Sequence, residues 1–146
     1  MNAARPVIQQ RPARSAATSL LEREKLPASD LTDEHLEQFF FTGPASVPTA
    51  IVGLELYGSV ALLRSLVVNT DVRSAGIGTA LVARAENHAR SQGVQSLYLL
   101  TTTAEAFFAR RGYVRIDRAA APAAIQSTRE FANLCPASSA FMFKQL

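Results

Sequence analysis

Two glycines and an arginine mark the first stretch that could do chemistry. It is Arg73-Ser74-Ala75-Gly76-Ile77-Gly78, soon after an apolar run that ends Leu66-Val67-Val68. Without β-carbons, Gly76 and Gly78 let the backbone approach a ligand closely. A helix opening at Thr79 would leave its first N–H groups without intrahelical partners and with roughly half a positive charge. Those donors, with Arg73 as a permanent cation at the mouth, make an anion site suited to a pyrophosphate. A dinucleotide fingerprint needs G-x-G-x-x-G, and Leu81 stands where its third glycine would be. A P-loop needs Gly-Lys-Ser/Thr, and this turn has no lysine. The plain alternative is a helix start that happens to carry two glycines.

A second group sits in β-rich sequence. Glu55 lies inside Thr49–Tyr57, where strand alternation puts Ile51, Gly53, Glu55 and Tyr57 on one face. A carboxylate there is either a general base or a solvent-facing strand residue. Arg64 lies on the neighbouring run among leucines; it either grips a ligand carboxylate bidentately or pairs with Glu55. Tyr57 either gives a proton or is structural. Thr101, Thr102 and Thr103 offer hydroxyls, with Thr103 read as a helix cap and Thr101 as a ligand contact. Cys135, the single cysteine, reads as a small buried residue before Pro136. His35 and His88 fall on amphipathic stretches, and their spacing suits no metal motif.

The elements that must position these groups follow from periodicity. A short strand is expected around Val7 to Gln10, then a helix from Ala13 to Lys25 with Ala16, Ala17, Leu20 and Leu21 on one face. Thr32 should cap a second helix carrying Leu36, Phe39 and Phe40 on one side, ended by Gly43-Pro44. Thr49–Tyr57 and Val60–Val68 form a hairpin across Gly58-Ser59. Thr79 to Ser91 reads as a helix with Ala80, Leu81, Ala83 and Ala85 inward and Arg84, Glu86 and Arg90 wet. Val94 to Thr101 is an apolar run that fits a buried parallel strand. A helix over Ala104–Arg111, a strand over Tyr113–Asp117, a helical stretch over Ala121–Asn133 with Pro122 near its first turn, and a last strand over Ser139–Lys144 complete the reading.

Composition bounds the class. The 146 residues suffice for one globular domain, with 1–12 frayed or forming a short first strand. No run of about 18 apolar residues occurs, and the N-terminal stretch lacks the apolar core of a secretory signal. One cysteine excludes an internal disulfide framework, no metal is expected, and a cytoplasmic location is the default. The net charge of +3 is carried by scattered arginines, a poor match to nucleic-acid binding and a fair one to an anionic small ligand.

The turn R-x-x-G-x-G after a strand ending Leu66-x-Val68 resembles the acetyl-CoA-binding motif of the GNAT N-acetyltransferases. Ala104-Glu105-Ala106-Phe107-Phe108-Ala109-Arg110-Arg111-Gly112-Tyr113 resembles the same family's helix and Gly-aromatic pair. Within it, LLTTTAEAFFARRGY, GLELYGSVALLRSL and REFANLCPAS are similar to the ArsN-type acetyltransferases associated with arsenic resistance. The C-terminal half is also similar to the acetyltransferase domain of bacterial N-acetylglutamate synthases.

The resemblance implies an α/β GNAT fold, a mixed central sheet with helices on both faces. In that fold the strands ending at Val68 and near Thr101 splay, and the pantetheine arm of acetyl-CoA pairs with the first of them. It implies acetyl transfer to the amine of a small amino-acid-like acceptor by direct attack, with room for a homodimer. The cofactor contacts it implies are Leu66, Val67, Val68, Arg73, Ser74, Ala75, Gly76, Ile77, Gly78, Thr79, Thr101 and Phe108. Glu55 and Tyr57 are then the catalytic candidates, and Arg64, Thr102 and Ser138 the acceptor-binding ones. Phe108 departs from the family's usual tyrosine, which protonates the leaving thiolate. The proton must then come from water, another side chain or the acceptor itself, and a binding module without catalysis is the alternative. Where the synthases hold glutamate with arginines, this chain has Pro136-Ala137-Ser138.

Overall fold

The structure is a computed structural model and describes residues 7–69, 76–134 and 138–146. Its strands are β1 (Ile8–Gln10), β2 (Phe39–Thr42), β3 (Ala50–Tyr57), β4 (Val60–Val68), β5 (Ser96–Thr101), β6 (Val114–Arg115) and β7 (Ala140–Gln145). They form one sheet in the order β1-β2-β3-β4-β5-β7-β6. Only the β4–β5 pair is parallel among these neighbours. The helices are α1 (Arg14–Arg23), α2 (Asp33–Leu36), α3 (Ile77–Ser91), α4 (Glu105–Ala109) and α5 (Ala123–Gln126).

Strand alternation sorts the side chains onto two faces. On one face, Phe40, Val52, Leu54, Leu63, Leu97 and Leu99 pack with the apolar stripe of α3 and with Phe108 of α4. On the other, Phe39, Phe41, Ile51 and Val67 pack with Ala17, Leu20 and Leu21 of α1. Further along that face, Ile125 of α5 packs with Leu62, Tyr98 and Phe141. Helices therefore cover both faces of a mixed sheet, as the sequence implied.

The second helix is much shorter than its sequence suggested. Thr32 does cap it, with its side chain accepting from the His35 amide at 3.2 Å, but it stops at Leu36. Phe39 and Phe40 lie instead on β2, all four residues of which are buried. The three phenylalanines satisfy cores on both sides of a sheet, a demand that one helical stripe cannot meet. On α3, the buried set is Leu81, Val82, Ala85, Glu86 and Ala89. Ala83 is exposed, and Glu86, expected in water, is buried. Its carboxylate accepts from the Tyr113 hydroxyl at 2.8 Å and from Lys144 Nζ at 3.1 Å, which tie α3 to the chain after α4 and to β7.

Beyond Pro122, α5 is a single turn, and a π-helical turn follows at Glu130–Leu134. Thr128 anchors that turn by donating to the Ile125 carbonyl at 2.7 Å and accepting from the Phe131 amide at 3.2 Å. Thr103 is not a cap. The N-cap of α4 is Ala104, and its amide is satisfied by Thr101 Oγ1 at 3.0 Å.

Candidate active site

One extra residue on β4 opens the site. Ile51 faces Val67 and Gly53 faces Arg64, so three steps along β4 match two along β3. The surplus is absorbed by a β-bulge at Ser65, whose φ of 63° is left-handed and unusual for a non-glycine residue. Pairing between β4 and β5 reaches only Leu63↔Leu99, although β4 runs on to Val68 and β5 to Thr101. The two strand ends thus part where their hydrogen bonding stops. A cleft of about 590 Å³ lies there, lined by Leu66, Val67 and Val68 from β4 and by Leu100, Thr101 and Thr102 opposite. A further cavity of about 460 Å³ reaches Gly76, Ile77, Gly78 and Thr79. The two share Leu66, Val68, Thr103 and Ala104, so they are contiguous.

The α3 end of this channel suits an anion. Gly76 caps α3 with φ 74°, a conformation glycine adopts without strain, and a β-carbon placed on it would meet nothing within 4 Å. Among the described residues, none therefore crowds the start of α3 beside Gly76. Arg111, on the opposite wall, lays its guanidinium over the Phe107 ring at 3.5 Å. It donates to the Phe107 carbonyl at 2.6 Å and to the Thr79 hydroxyl. Its Nε is buried with no hydrogen-bond partner among the described residues. A cation with an unspent donor beside a helix N-terminus matches phosphate chemistry. Sequence reasoning passed over Arg111; its only signal was the adjacent pair Arg110-Arg111. The expected contacts Arg73, Ser74 and Ala75 lie outside the described residues, as does Cys135.

At the other end stands a buried charge cluster on the α1/α5 face. Arg64 donates to both oxygens of Asp30, at 2.5 and 2.9 Å, to Glu55 Oε2 at 2.8 Å, to Ser65 Oγ at 3.0 Å and to the Pro27 carbonyl at 3.4 Å. Glu130 adds a third carboxylate, 3.5 Å from Nη2. The second Glu55 oxygen accepts from the Tyr57 hydroxyl at 2.5 Å. The guanidinium side chain is fully buried. Burial alone would weaken its hold on a proton, but the three carboxylates raise its pKa above the usual arginine value.

The same cluster splits its acids. Burial works to raise Asp30, yet the hydrogen bonds and charge of Arg64 prevail and hold its carboxyl below the usual carboxylate range. For Glu130 burial wins. Arg64 offsets it in part, while Glu55 and Asp30 add to it, and the carboxyl is pushed up to about 7. Burial and the Glu55 hydrogen bond raise the Tyr57 phenol.

These positions revise the sequence expectations. Of the two alternatives for Arg64, pairing with Glu55 is the arrangement present, and its donors are taken up by protein groups. Glu55 and Tyr57 engage each other and neither lines the cleft; Glu130 does. Thr102 lines the cleft, whereas its serine-lined wall is formed by Ser139, the neighbour of the exposed Ser138. The Ser139 hydroxyl oxygen is buried without a hydrogen-bond partner among the described residues. Phe108 lines the cleft and also packs edge-on against Phe107 and Tyr113, so it is both core and wall. Asp30, Glu130 and Ser139 were missed. Asp30 and Glu130 are distant in sequence from Arg64, and nothing in their local pattern separates them from surface acids.

Comparison with known proteins agrees with the cleft. The Acetyltransferase (GNAT) family profile matches residues 13–113, and the chain belongs to that family. Among curated relatives, an amino-acid acetyltransferase of Ectopseudomonas mendocina is 45% identical over 51 residues, 35% of this chain and 12% of the relative. An uncharacterised N-acetyltransferase of Chlorobaculum tepidum is 33% identical over 86 residues, 58% of this chain and 55% of the relative. The chain thus spans a minor share of the amino-acid acetyltransferases it matches. Among solved structures, N-acetylglutamate synthase from Neisseria gonorrhoeae, complexed with coenzyme A and N-acetyl-glutamate, superposes with TM-score 0.80 at 18% identity. The match covers 99% of this chain and 36% of that one. Rv2747 from Mycobacterium tuberculosis, in complex with CoA and NLQ, gives TM-score 0.78 at 23% identity, covering 97% and 99%. These two likenesses establish the fold.

Proposed function

We propose that this chain transfers an acetyl group from acetyl-CoA to the amine of a small amino-acid-like acceptor. The observation that carries the reading is the gap beyond Leu63↔Leu99, which leads from the unpaired side of β4 to the open N-terminus of α3. An extended pantetheine arm fits there as an added strand. The α3 amides, the space before Gly76 and the unsatisfied Arg111 Nε fit its pyrophosphate. When bound, acetyl-CoA would supply the acyl group as an activated thioester. The chain's own residues would position it: Leu66 to Val68 along the arm, Thr101 and Phe108 near the acyl end. Glu55 and Tyr57 act here at one remove, by fixing Arg64.

A small acceptor with an α-amine is favoured on energetic grounds. Presenting a lysine-type amine in neutral form costs about 4.6 kcal/mol at neutral pH, and a peptide-like α-amine about 1.4 kcal/mol. Direct attack in a ternary complex then needs no covalent enzyme intermediate. The similarity to ArsN-type sequences supports a narrower reading in which the acceptor is an arsenic-containing amino acid.

The experiment is acetyl-CoA-dependent release of CoA thiol across amino acids, arsenical analogues and polyamines. Release with an α-amino acceptor is the expected result. Silence across the panel, with acetyl-CoA bound in the same samples, would replace transfer by acyl-CoA binding alone. The phosphate end has its own test: Gly76→Val should weaken acetyl-CoA binding about tenfold or more by calorimetry. The substitution forces a branched side chain into a left-handed position and fills the space before the α3 amides. Unchanged affinity would remove Gly76 from the site.

A further inference from the structure

We propose that Glu130 takes the proton from the acceptor's amine, so that the cleft receives its acceptor as an ammonium ion. The inference rests on the acetyl-transfer reading and deepens it.

The geometry separates Glu130 from the other acids around Arg64. Both Asp30 oxygens accept from Arg64, and the Glu55 oxygens are held by Tyr57 and Arg64. Among the described residues Glu130 has one ion pair, at 3.5 Å, and it lines the cleft while only 4% exposed. Three carboxylates meet one guanidinium, so this end of the cleft favours an approaching cation. A second, independent feature lies in the same wall. Ser139, 95% buried, presents a hydroxyl oxygen with no partner among the described residues. An acceptor's polar group would satisfy it, since buried hydroxyls rarely stay unpaired. The turn that carries Glu130 is π-helical, a distortion that recurs at functional sites.

The proton balance closes. The ammonium gives one proton to Glu130, and the freed nitrogen lone pair attacks the thioester carbonyl. The C–N bond forms and the C–S bond breaks. The second nitrogen proton passes to the departing thiolate, directly or through water, which removes the need for an acid at Phe108. Glu130 then returns its proton to solvent.

The charged groups facing Glu130 are Arg64 from β4, Glu55 from β3 and Asp30 from the α1–α2 loop, and with burial they set its affinity near 7. From a peptide-like α-amine near 8, proton transfer to such a group is uphill by about tenfold. To an ordinary glutamate near 4.3 it is uphill by almost four powers of ten, and from a lysine-type amine to Glu130 by more than three. The site therefore favours a peptide-like α-amine over a lysine-type one, and a free amino acid, whose amine lies between them, meets an intermediate cost.

The test compares the parent chain with Glu130→Gln and Glu130→Asp. It measures kcat/KM for a small α-amino acceptor between pH 6 and 9, with acetyl-CoA affinity read by calorimetry. Glu130→Gln should lower kcat/KM about 100-fold or more and abolish the limb that rises through about pH 7. Its acetyl-CoA affinity should stay within about twofold. Glu130→Asp should retain a rising limb and part of the rate. Parent-like rate and pH dependence in Glu130→Gln would overturn the assignment. If circular dichroism shows Glu130→Gln unfolded, the parent profile decides, and absence of a limb near 7 overturns it. A parent that binds acetyl-CoA but acetylates no amine would sink the transfer reading itself, which is a different failure from an active but unaffected Glu130→Gln.

Discussion

Arg64→Ala should cost about 3–5 kcal/mol of folding stability, the usual loss when one partner of a buried ion cluster is removed. The side chain is fully buried and bridges β4 to the α1–α2 loop, to β3 and to the segment after α5. Removing it leaves three carboxylates in a low-dielectric interior with no cation. The desolvation that Arg64 offset then acts on all of them. The pH dependence follows by sign. In the parent, Asp30 titrates below its unfolded value, so its contribution is present above about pH 4 and lost as pH falls through the lower folded value. Glu130, raised to about 7, has the opposite sign, and its contribution is lost as pH rises through about 7. In Arg64→Ala, burial without its counter-charge makes Asp30 and Glu130 bind protons more tightly than in the unfolded chain. Their folded pKa values rise, so stability is highest in acid and falls as pH increases through them. Urea unfolding at pH 5 and pH 8 checks both points. A loss under about 1 kcal/mol, or a decline from pH 5 to pH 8 no steeper than the parent's, would mean that Arg64 does not hold these acids together.

Gly53→Val should destabilise the fold by about 1–3 kcal/mol or more through overpacking. Gly53 stands directly across from Phe39 in the β2–β3 ladder. An added β-carbon would lie 2.2 Å from two atoms of the Phe39 ring. That ring is fully buried among Leu20, Leu21 and Leu36, so it has no free space to enter. Gly53 also faces Arg64 at the edge of the bulge, so displacing Phe39 loads the strand pair that opens the cleft. Thermal unfolding should show the loss, and Phe39→Leu combined with Gly53→Val should recover part of it by making room. A Gly53→Val protein as stable as the parent would show that the ring moves freely. By contrast, Gly76 meets nothing when given a β-carbon, so its substitution should act on ligand affinity rather than on core packing.

Much of the fold was legible from periodicity. The hairpin across Gly58-Ser59, the helix after Gly76 and the parallel strand ending at Thr101 all stand close to their expected bounds. Each has a local signal: β-rich runs flanking a Gly-Ser link, a helical stripe, or a continuous apolar run. The Phe39–Thr42 strand was lost because three consecutive aromatics carry no period. Only the presence of cores on both faces gives them one. Glu86 was misplaced for a related reason. A lone carboxylate on a helix reads as a solvent residue until Tyr113, from the chain after α4, and Lys144, from β7, arrive to hold it.

The sequence by itself determined the glycine turn, the strand before it and the helix after it, because close backbone approach and helix termini depend on adjacent residues. It therefore pointed to an anion site suited to a pyrophosphate and, through the resemblance to the GNAT motif, to acetyl-CoA. The other half of the site was decided only by the tertiary structure. Asp30, Glu55, Arg64 and Glu130 come from four separate segments, and the shifted proton affinities of Asp30, Arg64 and Glu130 arise from mutual distance and burial, neither of which is a local property. The same holds for the cleft. A single left-handed residue at Ser65 shifts the β3–β4 register, and the parting of β4 from β5 turns a run of leucines and valines into one wall of a binding site.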